Sequence, residues 1–174
     1  MKKVLVVVDM QNDFVDGALG SGEAAAIVPA VVKKISGFEG EIFVTYDTHF
    51  ENYMKTAEGK KLPVSHCIKG TFGWELNGEV KKALANKKYT PVEKNTFGSV
   101  DLPELIKKAV GESEFEIELI GLCTDICVVS NALVIKANFP EAPISVDSAC
   151  CAGVTPEKHE AALETMRSCQ IDVR

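Results

Sequence analysis

The sequence predicts an α/β fold of three layers, α/β/α, around a mostly parallel, doubly wound sheet. Three observations carry this. Short β-branched runs alternate with longer helical patterns along the whole chain. The runs are apolar nearly throughout, as strands covered on both faces must be. Polar residues cluster just after the runs, where open α/β sheets place their ligand sites. The 174 residues fit one domain, expected to span 1–174.

Taken in order, "KVLVVVD" is a strand, Ala24–Ser36 a helix and "EIFVTYD" a strand; after a long gap come a helix over Glu75–Ala85, the strand "KKYTPVEK" and a helix over Leu102–Val110. The second half repeats the theme with "EFEIELIGL", a helix over Asp125–Asn138, "APISVDS" and a helix over Pro156–Ser168. The last helix opens with Thr155 as N-cap and Pro156 at its first position. "QIDVR" offers a short final strand, so the expected strand order is 3-2-1-4-5(-6), with the first and fourth strands adjacent at the reversal. One strand is discordant. Glu114, Glu116 and Glu118 alternate with Phe115, Ile117 and Leu119, a half-exposed pattern that implies a strand projecting beyond its helices at its start.

Composition excludes several classes. The apolar share of 46% and charged share of 25% are those of a globular chain. A net charge of −6 repels phosphate backbones, so nucleic acid is not an expected partner. Asp9 interrupts the first apolar run well short of a secretory or membrane-spanning segment, which points to a cytoplasmic protein without a membrane partner. The six cysteines accordingly read as reduced thiols, with Cys67, Cys150, Cys151 and Cys169 as small core residues.

Several residues at strand ends carry chemistry. Asp9 closes the first strand, Asp47 and His49 follow the second, Lys94 closes the third, and Cys123 and Cys127 follow the fourth. With Thr124 or Asp125 capping the helix, Cys127 falls in the first turn, where free N–H groups and the helix dipole favour thiolate. Taken alone, "LCTDIC" reads more plainly as two buried core cysteines. A carboxylate and an ammonium alongside, Asp9 and Lys94, would supply a base and a stabilising cation without any histidine. Asp47 and His49 face one way on an extended segment, and with Glu58 and His66 they form an oxygen and imidazole set suited to zinc, manganese or iron. A surface loop with ordinary caps is the plainer reading of such a pair. Asp13 and Asp16 read as caps, and His159, on the last helix, as structural.

"VVVDMQNDF", "TYDTH", "HCIKGTFGWEL", "VEKNTFGS" and "IGLCTDICVVSNAL", in this order across nearly the whole chain, resemble the isochorismatase-like cysteine hydrolases, most closely the nicotinamidase branch. The resemblance implies a Cys–Asp–Lys triad at Cys127, Asp9 and Lys94. It implies a cis peptide at Leu122–Cys123 and an oxyanion hole from the backbone N–H groups of Cys123 and Cys127. It implies Phe14 stacked on a substrate ring, the same residue reading equally as a staple of loop onto core. It further implies a divalent metal, zinc first and manganese or iron next, held by Asp-x-His and two later histidines. Only three histidines are present, so the ligands here are expected to be Asp47, His49, Glu58 and His66. Trp74 follows His66 and receives no pocket role.

The activity implied is hydrolysis of a small amide through a cysteine thioester, with nicotinamide to nicotinate and ammonia as first choice, a step of NAD metabolism. The alternatives are a carbamoyl or ureido amide, an isochorismate-type vinyl ether, disfavoured because it needs no thioester, and a metal-binding or thiol redox-sensing module. The apolar face of "VVSNALVIKANF" is accounted for equally by a homo-oligomer interface and by packing on the sheet.

Overall fold

In the computed structural model, which describes residues 1–174, six parallel strands lie in the order β3-β2-β1-β4-β5-β6. They are β1 (Lys2–Val8), β2 (Glu41–Asp47), β3 (Tyr89–Lys94), β4 (Phe115–Leu122), β5 (Ile144–Ala152) and β6 (Asp172–Val173). This is the expected order, with "QIDVR" supplying the sixth strand. The helices are α1 (Asn12–Val15), α2 (Gly22–Ala26), α3 (Val28–Gly37), α4 (Ala57–Lys61), α5 (Gly78–Leu84), α6 (Leu102–Val110), α7 (Val129–Asn138) and α8 (Pro156–Ser168). No helix is long and apolar enough to cross a membrane.

The alternation of side chains along a strand splits the core into two layers. Val4, Val6 and Val8 of β1 join Ile117 and Leu119 of β4 and pack with residues of α6, α7 and α8. Leu5 and Val7 join Ile120 and Leu122 on the other face and pack with residues of α2, α3 and α5. Helix α7 buries Asn131, Ala132 and Ile135, while Leu133 of "VVSNALVIKANF" stays exposed. Cys67, Cys150 and Cys151 are buried as expected, and Cys169 is half-buried.

Three helices differ from expectation for local reasons. The single helix over Ala24–Ser36 is two, because Pro29 lacks an N–H and crowds the carbonyl before it, so the chain restarts at Val28. Ser21 caps the first of them, accepting from Ala24 N at 3.0 Å. The helix expected from Glu75 begins at Gly78, capped by Asn77, because the carbonyl of Glu75 and the N–H of Asn77 are taken by Asn12 N and Met10 O at 2.8 Å each. The helix expected over Asp125–Asn138 opens with a π turn, Thr124–Val128.

The start of β4 is its less covered end, as expected, and the acidic residues there also find basic partners. Glu118 lies in a partly covered groove, 3.0 Å from Lys34 of α3 and 3.8 Å from Arg174, and Lys34 also reaches Asp147 of β5 at 2.8 Å. Glu116 approaches Lys3 at 4.0 Å. Burial opposes ionisation of Asp147, but the hydrogen bond and charge of Lys34 outweigh it and hold the carboxyl low. Burial likewise opposes the Lys34 charge, and the hydrogen bonds to Asp147 and Glu118 outweigh it and raise the ammonium.

A lowered carboxyl adds stability above its unfolded value of about 3.9, lost as pH falls through the folded value. A raised ammonium adds stability below its unfolded value of about 10.4, lost as pH rises through the folded value. Lys34→Met should therefore cost about 1 kcal/mol in denaturant unfolding across the neutral range. The difference from wild type should shrink toward both acid and alkaline extremes.

Candidate active site

The site lies at the carboxyl ends of β1, β2, β3 and β4. Register brings its residues together: Val8 pairs with Thr45 of β2 and Gly121 of β4, and Asp47 pairs with Lys94. Gly121 has φ of 118°, and a Cβ there would collide with the carbonyl oxygen of Val8, so only glycine lets β4 lie this close to the end of β1. The next peptide but one, Leu122–Cys123, is cis, as the resemblance implied.

Asp9, Lys94 and Cys127 meet at this point. Asp9 is wholly buried and left-handed, with φ of 48°. Its Oδ1 accepts from Thr45 Oγ1 at 2.6 Å. Lys94 Nζ lies 2.6 Å from Oδ2, close enough for a strong ion pair, yet no well-directed hydrogen bond reaches that oxygen. Oδ2 is thus held by the Lys94 ammonium, with room for a second partner on the side of Cys127. Lys94 Nζ also lies 3.5 Å from Cys127 Sγ and 3.8 Å from Asp47 Oδ1.

The electrostatics correct one expectation. Cys127 is not a preformed thiolate, because burial, followed by the charge of Asp9, pushes its thiol well above the ordinary value, with Lys94 opposing. Burial also raises Asp9, against the pull of Lys94, and the charge of Asp47 adds to the rise. The Lys94 ammonium survives burial because the negative charges of Asp9 and Asp47 lie beside it. Thiol and carboxylate are therefore both poised to share one proton. Cys123 is a different case. Burial pushes its thiol up to about 12, and its N–H finds no acceptor within the chain.

The nucleophile's turn is held from three sides. Asn131 donates to Cys127 O at 2.8 Å and Phe97 O at 3.2 Å, and accepts from Ser99 N at 2.9 Å, tying the loop after Lys94 to the turn. Thr124 Oγ1 lies 2.8 Å from His159 Nδ1, and Asp125 Oδ1 accepts from Val154 N at 2.9 Å. These two side chains are thus joined to neighbouring segments, and neither caps the helix as expected. His159 is structural, as read from the sequence.

Asp47, His49, Glu58 and His66 converge beside the triad. His49 Nε2 and His66 Nε2 lie 2.9 and 3.4 Å from Asp47 Oδ2, and 3.7 and 3.6 Å from Glu58 Oε1. The ligand atoms of Asp47, His49 and His66 all fall within 4.8 Å of one another. His66 Nδ1 sits 2.8 Å from the carbonyl of Val64, which can only accept, so a neutral His66 presents the lone pair of Nε2 to the cluster. Burial disfavours the charge of Asp47, but the adjoining His49 and His66 and the charge of Lys94 outweigh it and keep the carboxyl ionised. Burial raises Glu58, partly offset by His49. The donor set fits a divalent ion.

Tyr53 packs edge-on against both imidazoles, with ring centroids 4.8 and 5.0 Å away, and donates to Leu62 O at 2.9 Å. Gln11 donates to Asp47 O and accepts from Asp47 N at 2.8 Å each, which locks the exit of β2. Sequence reading missed Tyr53, Gln11 and Asn131. The polar tip of Gln11, three residues past the end of β1, was the available signal.

A cavity of about 720 Å³ opens over both groups, lined by Cys123 and Cys127, by Asp47, His49, Glu58 and His66, and by Phe14. Phe14 also belongs to the core layer and lies 5.5 Å from the His66 ring, so it serves as staple and as wall together. Trp74 donates to Thr48 Oγ1 at 3.0 Å and stays outside the cavity, as expected. Asp13 ties a loop, accepting from Cys67 N at 2.8 Å.

The isochorismatase domain model matches residues 3–174. The chain belongs to the isochorismatase family. An isochorismatase family protein of Bacillus subtilis, PncA, is 32% identical over 76% of this chain and 78% of its own length. The crystal structure of the nicotinamidase/pyrazinamidase PncA from Bacillus subtilis superposes with a TM-score of 0.84 at 29% identity, covering 99% of both chains. The Pyrococcus horikoshii pyrazinamidase, solved in complex with zinc, gives 0.82 at 25% identity, covering 100% of this chain and 99% of its own.

A raised thiol has a measurable sign. Alkylation of Cys127 in the free protein should be slow at neutral pH and should keep accelerating above the ordinary cysteine value of about 8.5. Asp9→Asn removes the charge that raises the thiol, so it should label faster than wild type at the same pH, followed by mass spectrometry of the Cys127 peptide.

Proposed function

We propose that this protein is a cysteine amidohydrolase that converts nicotinamide to nicotinate and ammonia. The observation that carries the reading is the position of Lys94 Nζ, in contact with Asp9, Cys127 and Asp47 at once. That shared contact keeps the nucleophile and the Asp47 group side by side on one cavity, so one small ligand can meet both.

Each chemical step follows from the resting state. Asp9 Oδ2 takes the Cys127 proton as Sγ attacks the carbonyl carbon, and Lys94 holds both groups as the negative charge moves from carboxylate to sulfur and then to the carbonyl oxygen. The Cys123 N–H, with that of Cys127, receives the oxyanion. Asp9 then gives the proton to the departing nitrogen, which leaves as ammonia, and a thioester remains. Water loses a proton to Asp9 and attacks the thioester; the thiolate leaves and recovers that proton, and the acid departs as nicotinate. Asp47, His49, Glu58 and His66 would hold a divalent ion, zinc by the chemistry of the donor set, and such an ion supplies a Lewis-acidic anchor for the pyridine nitrogen. Phe14 would pack against the ring.

Cys127→Ala and Asp9→Asn should each lower kcat by about a thousandfold or more with folding intact, since groups acting as a unit fail together. Cys123→Ala should keep most activity, because only its backbone is used. The opposite ranking of the two cysteine variants, in an ammonia-release assay, would sink the assignment.

Treatment with a chelator should raise KM for nicotinamide more than it lowers kcat, and His49→Ala should do the same. An amide without a ring nitrogen should be indifferent to both, and metal analysis of protein purified without chelator should find one divalent ion per chain.

A further inference from the structure

The cavity is larger than its proposed substrate requires. At about 720 Å³ it falls within the ~300–1,000 Å³ typical of sites for drug-sized ligands, whereas nicotinamide is a single ring with one carboxamide. The ring spans only the inner part, between Cys127 and the Asp47 group. The remaining wall carries large apolar side chains, Leu19, Phe50, Leu62 and Phe97, set among the polar Asn52, Lys61, Asn95 and Thr96.

Those outer residues are arranged differently from the core. Phe50 is 57% exposed, Phe97 46% and Leu62 38%, and none of the three belongs to either core layer. Their backbones are nevertheless fixed. The carbonyl of Phe97 accepts from Asn131, that of Phe50 accepts from Tyr53 N at 2.9 Å, and that of Leu62 accepts from the Tyr53 hydroxyl. Large apolar side chains held in place beside an open cavity, and left uncovered by the fold, mark a surface that a ligand covers.

The opposite end of the reacting bond is closed. Asp9, which must protonate the leaving nitrogen, is wholly buried and does not line the cavity, and the Lys94 side chain is only 2% exposed. A leaving nitrogen that approaches Asp9 has no space for a substituent, so any additional bulk must belong to the acyl part.

Resting on the amidase reading, we infer that Phe50, Leu62 and Phe97 form a subsite for an apolar substituent on the ring, so that the enzyme favours primary aromatic carboxamides extended by an aryl or branched alkyl group at the ring edge away from the carboxamide. The outer contact is made in ground state and transition state alike, so its benefit appears mainly in KM.

The test compares nicotinamide, 5-phenylnicotinamide and the N-methyl carboxamide of nicotinic acid on the full chain, with acid formation followed by chromatography. In wild type, kcat/KM for the phenyl compound should exceed that for nicotinamide by roughly tenfold or more, the scale of even small apolar additions in a fitted pocket. That ratio should fall toward one in Phe97→Ala and Phe50→Ala, and the N-methyl amide should give no acid. A wild-type ratio at or below one, a ratio that survives both substitutions, or ready hydrolysis of the N-methyl amide would overturn the subsite while leaving nicotinamide turnover to stand. If none of the amides is hydrolysed, the amidase reading falls and the subsite falls with it.

Discussion

The ion pair between Lys94 and Asp9 is the interaction on which the site depends. Both side chains are withdrawn from water, at 2% and 0% exposure, and a buried pair of this kind is tolerable only when partners on every side replace the lost solvent. Here Thr45 holds one carboxylate oxygen, the carbonyl of Thr96 accepts from the ammonium at 3.2 Å, and Cys127 and Asp47 complete its surroundings. The pair joins the ends of β1 and β3 across β2, so its geometry follows from sheet register. The same arrangement supplies a base with an open oxygen, a thiol that ionises only as its proton is taken, and a fixed charge between them.

Much of the framework exists to keep that cluster dry and in place. Gly121 brings β4 against β1, Gln11 fixes the turn after β1 to the end of β2, and Asn131 fixes the nucleophile's turn to the loop after β3. Each of these uses a backbone group as its partner. The catalytic side chains are thus positioned by main-chain anchors that do not themselves titrate.

The fold was legible because its signals are local. Near-continuous apolar strands, their spacing and the polar residue closing each one specify the sheet, its order and the place where Asp9, Lys94 and Cys127 meet. The set Asp47, His49, Glu58 and His66 was legible through the family resemblance, since type and spacing alone read more plainly as a surface loop, and the structure brings all four together. What escaped depends on three-dimensional surroundings. The protonation of Cys127 is decided by burial and by Asp9, neither of which its own segment reveals. The π turn replaces an N-capped helix because Thr124 and Asp125 are drawn to α8 and to Val154. Glu118 looks like a solvent-facing residue until Lys34 and Arg174 are seen beside it. Pro29 stands in plain view in the sequence, and its missing N–H divides a run that apolar periodicity alone would continue.

His49 pairs with the segment after His66: its N–H donates to Cys67 O and its carbonyl accepts from Lys69 N, each at 2.9 Å. This clasp closes an excursion whose interior, from Phe50 to Ser65, takes no part in the sheet. The segment supplies Phe50, Glu58 and Leu62 to the cavity wall while the strands supply Asp9, Lys94 and the nucleophile's turn. The molecule is therefore modular: a fixed hydrolytic half carried by strand ends, and an interchangeable loop cassette through which relatives can diverge in what they accept.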